Sequence, residues 1–209
     1  RYNLSCVCRF LVQKFEYFPA QVNRDERPDF LDDLKIVHEQ SIKEVWDENM
    51  PMLQSGSLVQ HPSLTDFKNY LLLASVNILQ EQGYDTGKYD FYLQELWAQE
   101  IKRSGGTAVH IHKNSQICGW VFTDVPENSA YVVYHDTRIN KNVLELDYLQ
   151  ENDQILNATG LISFSNLLEG TALFNNSWMS HQIVAGASEE PTRCFHFVVS
   201  HKERMCNIA

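Results

Sequence analysis

Two histidines separated by one residue, His110 and His112, form the group of side chains most suited to chemistry in this sequence. Residues 107–112 are predicted to form a strand, and side chains of a strand alternate between its two faces. The two imidazoles therefore point to one face, while the intervening residue points to the other. Neutral imidazole nitrogens that converge from one side suit Zn, Cu, Fe or Ni. The pair predicts a metal site; the alternative is a solvent-facing strand edge.

A second group of polar side chains follows about seventy residues later. The Ser-Trp-Met-Ser-His segment ends at His181, and Arg193 opens an apolar run, residues 193–199, that is predicted to be a buried strand. A buried guanidinium needs a carboxylate or phosphate partner, because an unpaired buried charge is costly. The alternative is a strand-end arginine whose stem packs while its head reaches water. His196 has the opposite parity to Arg193, so it is predicted to lie on the other face as a core or sheet-surface histidine.

The overall composition is that of an acidic globular chain. Its 209 residues include 27 acidic and 17 basic side chains, for a formal net charge of −10. This charge repels phosphate backbones, which argues against nucleic acid as a partner. The five cysteines lack paired CxxC spacing, which predicts reduced thiols and a cytoplasmic location. No apolar run reaches the roughly 18 residues of a membrane helix, so no membrane association is expected.

The pattern of apolar residues places helices first and strands later. One helix is predicted from Leu31 to about Val45, and a second begins at a capping box, Ser63 with Asp66, and ends at Gly83. Short strands are predicted at residues 91–101, 107–112, 118–124, 130–135, 143–146, 160–164, 171–174, 181–184 and 193–201. We therefore expect a single mainly β domain (α+β), in which a helical flank, residues 1–88, buttresses a cupin-like jelly roll, or double-stranded β-helix, at residues 89–209.

These motifs resemble a known family, the 2-oxoglutarate/Fe(II)-dependent oxygenases found in bacteria and their phages. The likeness covers about half of the chain. The family has H-x-H-x-N-S, a Ser-Gly pair followed by apolar residues, a nearby Pro, a D-P-R element, and an S-W-x-x-H segment before an Arg. The corresponding segments here are Trp97, residues 105–115, residues 118–122, Pro126, residues 136–138, residues 174–181 and Arg193.

The resemblance implies an enzyme that binds Fe(II) and 2-oxoglutarate. It would use O2 to hydroxylate an organic or protein substrate, forming succinate and CO2. Its metal ligands would be His110, His112 and His181, and Arg193 would bind the far carboxylate of 2-oxoglutarate. The general pattern of such enzymes has a carboxylate where this chain has His112, so a second ligand set, the two other histidines with Asp136, stays open. The three-histidine set is favoured because the first two share a strand face. Halogenation needs a small residue at the second ligand position, so His112 favours hydroxylation.

Two other functions fit parts of the pattern. A cupin-like enzyme could use three histidines and a metal without 2-oxoglutarate, although it would have no use for an arginine facing the metal. A non-catalytic jelly roll, structural or carbohydrate-binding, would need no metal. The sequence begins at Arg1 and not at a methionine, which leaves residues upstream open. It names no substrate, and it leaves the oligomeric state open, with a homodimer as the commonest assembly.

Overall fold

The computed structural model describes residues 20–43, 49–136, 138 and 161–204. Within them the chain forms two α-helices, α1 (Leu31–Ile42) and α2 (Thr65–Glu81). The strands are β1 (Val22–Glu26), β2 (Met52–Gln54), β3 (Tyr89–Ile101), β4 (Ile117–Asp124), β5 (Tyr131–His135), β6 (Leu161–Phe164), β7 (Thr171–Asn176), β8 (His181–Val184) and β9 (Thr192–Glu203). No helix of these described residues is long and apolar enough to span a membrane.

The strands form two antiparallel sheets that face each other. The larger sheet has the order β1-β7-β4-β9-β3-β2, and the smaller one has the order β6-β5-β8. Side chains from both sheets fill the space between them, among them Trp120 and Leu173 from the larger sheet and Val132 and Ile183 from the smaller. This space is called the interior of the jelly roll below.

Both helices cover the outer face of the larger sheet. Leu34 of α1 and Phe67 and Leu71 of α2 pack in one core with Phe195 and Phe197 of β9. Burial of each such side chain contributes about 1.5–3 kcal/mol, which fixes the helices on this face. The mainly β jelly roll buttressed by helices is thus confirmed.

Close pairing of β4 with β7 requires a glycine at position 119. A Cβ atom there would lie 1.8 Å from the carbonyl oxygen of Leu173, closer than any real contact. Gly119 therefore allows the strand that carries Trp120 to approach the strand that leads to His181.

Several boundaries differ from the predictions. Strands β1 and β2 lie within residues 1–88, so this region supplies two strands of the larger sheet as well as the helices. Helix α2 ends before Gly83, as predicted, but it begins at Thr65 without a side-chain cap, since residues 62–64 form a 3-10 turn that occupies the expected capping position. The strand predicted at residues 143–146 lies outside the described residues.

The segment that carries the two spaced histidines is extended but is not a full strand. It joins β8 through isolated bridges, Gly106 to Val184 and His110 to His181, and not through a continuous ladder. The predicted alternation holds: His110 and His112 are partly buried, while Val109 and Ile111 are about half exposed.

Candidate metal centre

Three histidines meet where the HxH segment crosses β8. The backbones of His110 and His181 exchange two hydrogen bonds of 3.0 Å, and the backbone N–H of His112 donates to the carbonyl of Ser177. These bonds place the three rings together, with centroids 4.6 Å apart for His110 and His181 and 5.0 Å for His110 and His112. The candidate ligand atoms lie within 4.8 Å of one another, a spacing that could hold one metal ion.

Hydrogen bonds fix the tautomers of two of these rings. Nδ1–H of His110 donates to the carbonyl of Ala108 at 2.8 Å, and Nδ1–H of His181 donates to the carbonyl of Met179 at 2.7 Å. Each ring therefore keeps its Nε2 lone pair for a metal, which is the usual arrangement around metal-bound histidines.

Burial keeps the imidazoles of the cluster in the neutral form that binds a metal ion. Nε2 of His112 and Nε2 of His181 are buried without a hydrogen-bond partner. Burial and the neighbouring His110 lower the pKa of His112 to about 4, and burial lowers the pKa of His181 to about 3. Both imidazoles are neutral at neutral pH, and a neutral imidazole with an unused lone pair is the form that binds a metal. The residues present thus fit a divalent metal ion.

Glu95 of β3 is a neighbour of the cluster that the sequence did not reveal. Its Oε2 lies 3.9 Å from Nδ1 of His112, which is too far for a hydrogen bond but puts a carboxylate on the Nδ1 side of that ring. Burial raises the pKa of Glu95. A carboxylate on this side favours a proton on Nδ1 and leaves Nε2 of His112 for the metal.

Asp136, the carboxylate of the second ligand set, is engaged elsewhere. The guanidinium of Arg138 donates to both of its oxygens, at 2.6 to 3.1 Å. Among the described residues, the group with metal-binding spacing consists of His110, His112 and His181, and it does not include Asp136.

Arg193 does not face the histidines. Its side chain lies on the outer face of the larger sheet, the face shared with Phe195 and Phe197, where Nε donates to Oε2 of Glu100 at 2.9 Å. A second carboxylate, that of Asp124, lies 3.9 Å from its Nη1. The guanidinium thus has the acidic partners that a partly buried charge requires, and these are side chains of the protein and not a carboxylate of a ligand.

His196 takes the interior position instead. It lies on the face opposite to Arg193, as strand alternation predicted, and this face is turned toward the interior of the jelly roll, where His112 lies beside it. Its ring lies 4.9 Å from that of His112 and stacks on Trp97 at 5.3 Å and 14°. Trp120 contacts both His196 and His181, at 5.1 and 5.3 Å.

A cavity lies away from these histidines. It measures about 850 Å³ and is lined by the loops that follow β4 and β8 and precede β7. The histidines lie by the start of β4 and of β8 and the end of β7, at the other end of the jelly roll. Trp178, in the turn between β7 and β8, is 48% exposed.

Comparison with known proteins assigns this arrangement to an enzyme class. The family model described as "Putative 2OG-Fe(II) oxygenase" matches residues 95–198, a stretch that contains all three clustered histidines, Arg193 and His196. The chain belongs to the 2OG-Fe(II) oxygenases. Fe(II) and 2-oxoglutarate are the cofactor and co-substrate of this family, and O2 is its second co-substrate. A search of curated proteins found no match to the oxygenase.

Solved structures with low sequence identity share its fold. The α-ketoglutarate-dependent epimerase SnoN from nogalamycin biosynthesis is 14% identical, with a TM-score of 0.58 over 91% of this chain and 81% of that one. HygX from Streptomyces hygroscopicus, solved with nickel, 2-oxoglutarate and hygromycin B, is 10% identical, with a TM-score of 0.58 over 87% and 83%. A prolyl-4-hydroxylase from Pseudomonas putida is 8% identical, with a TM-score of 0.55 over 88% and 94%. These structures support the jelly-roll fold of the oxygenase.

Proposed function

We propose that the oxygenase holds Fe(II) through the Nε2 atoms of His110, His112 and His181 and hydroxylates an organic or protein substrate. The observation that supports this ligand set is the pair of Nδ1–H hydrogen bonds to backbone carbonyls, which leaves the Nε2 lone pairs of His110 and His181 free for a metal. The third ring, His112, brings a buried Nε2 without a partner. Bound Fe(II) with 2-oxoglutarate supplies the oxidising chemistry, and the ligand rings hold the metal at the end of the jelly roll.

Hydroxylation is the reaction that the second ligand position favours. A halide can take the second ligand position only where a small residue leaves it open, and His112 fills that position. The related folds include an epimerase, a carbocyclase and a hydroxylase, so the fold accommodates several outcomes, and the ligand at position 112 is what supports hydroxylation in this chain.

The proposed chain organisation follows from the sheet. We propose a single domain, since β1 and β2 from residues 1–88 are strands of the same sheet as β3 and β9. Cys118 and Cys194 are buried free thiols, which supports the predicted cytoplasmic location. A homodimer stays a prediction.

Anaerobic difference spectroscopy tests the proposed centre. Addition of 2-oxoglutarate to the Fe(II)-loaded oxygenase is expected to give the weak visible charge-transfer band of a chelated 2-oxo acid. A His110→Ala variant, which removes one ligand and little buried structure, is expected to bind less iron and lose the band. If the wild-type protein holds iron in stoichiometric amount and no band appears, the proposal fails, and a metal-dependent enzyme that does not use 2-oxoglutarate takes its place.

The three-histidine ligand set has a consequence for reactivity. It carries one negative charge fewer than two histidines and a carboxylate, which makes the iron more electron-poor and harder to oxidise. Without substrate, the wild-type oxygenase is therefore expected to consume 2-oxoglutarate more slowly than a His112→Asp variant with the same iron content. Equal rates at matched iron content contradict this reasoning.

A further inference from the structure

The third histidine of the proposed centre differs from the other two in what lies beside its Nδ1. His110 and His181 each donate Nδ1–H to a backbone carbonyl, at 2.8 and 2.7 Å. Within the described part of the chain, no carbonyl takes this role for His112. The group on the Nδ1 side of its ring is the carboxylate of Glu95, whose Oε2 lies 3.9 Å from Nδ1.

The backbone of β3 brings this carboxylate to the histidines. Residues 95 and 97 share the interior face of the strand, after a bulge between Leu93 and Glu95 that shifts its register against β9. Trp97 stacks on His196, and the ring of His196 lies 4.9 Å from that of His112. The strand therefore holds Glu95 on the side of the sheet where the candidate ligands lie.

Glu95 has no cation of its own. Two other carboxylates of the same strand, those of Asp90 and Glu100, are paired with arginines. Among the described residues, no lysine or arginine lies within 4.0 Å of Glu95, although its side chain is only 30% exposed. A partly buried carboxylate without a positive partner is costly, so a metal ion bound to His112 would supply the charge that Glu95 lacks.

A carboxylate in this position changes what His112 offers a metal. An imidazole whose Nδ1–H donates to a carboxylate is a more basic ligand at Nε2 than one whose Nδ1–H donates to a neutral carbonyl. The nearby negative charge also favours the more highly charged oxidation state of a bound ion. The three rings are neutral, so Glu95 is the anionic group of this neighbourhood.

We propose that Glu95 is a positioning residue that accepts a hydrogen bond from Nδ1–H of His112 when the metal is bound. Through this ring it returns to the centre part of the negative charge that a carboxylate at position 112 would carry. The inference rests on the proposed three-histidine iron centre. It predicts that the 3.9 Å separation shortens to about 2.7–3.2 Å in a crystal structure of the Zn(II)-loaded protein.

Anaerobic titration with Fe(II) alone, without 2-oxoglutarate, provides the first test. Glu95→Gln keeps the shape of the side chain and removes its charge, and it is expected to raise the dissociation constant of Fe(II) about tenfold. Asp90→Asn is the matched control, because it removes the same charge from an exposed position on the same strand. It is expected to leave the dissociation constant within about twofold of wild type.

A double-mutant cycle with His112→Ala tests whether Glu95 acts through the ring. Zn(II) affinity is measured by competition with a chelator in the wild type, in both single variants and in the double variant. With the ring removed, Glu95→Gln is expected to change the dissociation constant by less than about twofold. An equal loss in both backgrounds overturns the inference, because Glu95 would then act on the metal as a distant charge.

The Fe(III)/Fe(II) midpoint potential distinguishes the proposed role from simple support of the fold. Glu95→Gln is expected to weaken Fe(III) binding about tenfold more than Fe(II) binding, which raises the potential by about 59 mV. A loss of packing alone would weaken both oxidation states equally and leave the potential near wild type. The Asp90→Asn control is expected to keep the wild-type potential.

Failure of this inference and failure of the proposed function give different results. The inference alone is refuted if Glu95→Gln keeps the wild-type affinity and potential while His112→Ala loses metal binding. If His112→Ala retains full affinity, His112 is not a ligand, and the ligand set and this inference fail together. A wild-type protein that binds Fe(II) but shows no charge-transfer band with 2-oxoglutarate refutes the proposed function, and the metal affinities of the Glu95 variants still decide the role of this carboxylate.

Discussion

Acidification of the metal-free protein is expected to lower its free energy of unfolding, because the buried histidine cluster resists protonation. In the unfolded chain an imidazole has a pKa of about 6.5, whereas burial lowers the pKa of His181 to about 3 in the fold. Between these two values the unfolded state binds a proton that the folded state does not. Stability therefore rises with pH, and the contribution of His181 is fully present above about pH 6.5 and is lost as the pH falls toward about 3.

The size of this effect follows from the two pKa values. At about pH 5 the unfolded imidazole is almost fully protonated and the folded one is neutral, so the difference amounts to about 2 kcal/mol relative to about pH 7.5. A His181→Gln variant lacks this proton uptake. We expect its free energy of unfolding to fall by about 2 kcal/mol less than that of the wild type across the same pH interval.

Urea denaturation of the metal-free proteins, followed by tryptophan fluorescence, measures both losses. Ile183→Val, a change at a fully buried neighbour on the same strand, is the control, because it is expected to cost about 0.5–1.5 kcal/mol at both pH values without altering the pH dependence. If the wild type and His181→Gln lose the same free energy between about pH 7.5 and 5, His181 is not held neutral by burial and the reasoning is refuted.

Three further predictions concern packing, the outer ion pair and the metal. Gly119→Ala is expected to disrupt the β4–β7 pairing, because its Cβ would overlap the carbonyl of Leu173, and the soluble yield and melting temperature of the variant would show this; a melting temperature near wild type contradicts it. Arg193→Met leaves the buried carboxylate of Glu100 without its closest partner, so we expect it to lower the free energy of unfolding by about 1–3 kcal/mol. Urea denaturation measures this loss, and a second change, Glu100→Gln, is expected to recover part of it. Zn(II) at about one hundred times its dissociation constant is expected to stabilise the wild-type fold by about 2.7 kcal/mol, and a thermal shift that persists undiminished in His112→Ala argues against that ligand.

Much of the fold was predictable because its signals are local. The apolar pattern located α1 and α2, and the turn residues separated most of the strands close to their observed bounds. The short strands β1 and β2 were missed because each draws its stability from one neighbouring strand, β7 and β3 respectively, and not from its own composition. The 3-10 turn before α2 likewise depends on Pro62 and the packing of Leu64, which override the capping pattern.

The spacing of residues along the sequence predicted only part of the candidate centre. Strand alternation placed His110 and His112 on one side, and the family pattern added His181, which the structure brings to the same point. Glu95 carried no comparable signal, because its approach to His112 depends on the bulge in β3 between Leu93 and Glu95, which resets the alternation of that strand.

The two faces of β9 show why strand alternation alone could not decide whether Arg193 points into the jelly roll. Alternation correctly separated Arg193 from His196, but Cys194, Phe195, His196 and Phe197 are all buried, so hydrophobicity does not distinguish the face under the helices from the face inside the jelly roll. The partners of the two side chains do distinguish the faces. Glu100 of β3 and Asp124 of β4 lie on the outer face, where their carboxylates are 2.9 and 3.9 Å from the guanidinium of Arg193. On the interior face, the rings of Trp97 and Trp120 pack against His196. Because these partners belong to other strands, the alternation within β9 separates the two residues but cannot tell which face holds the carboxylates that a partly buried guanidinium requires.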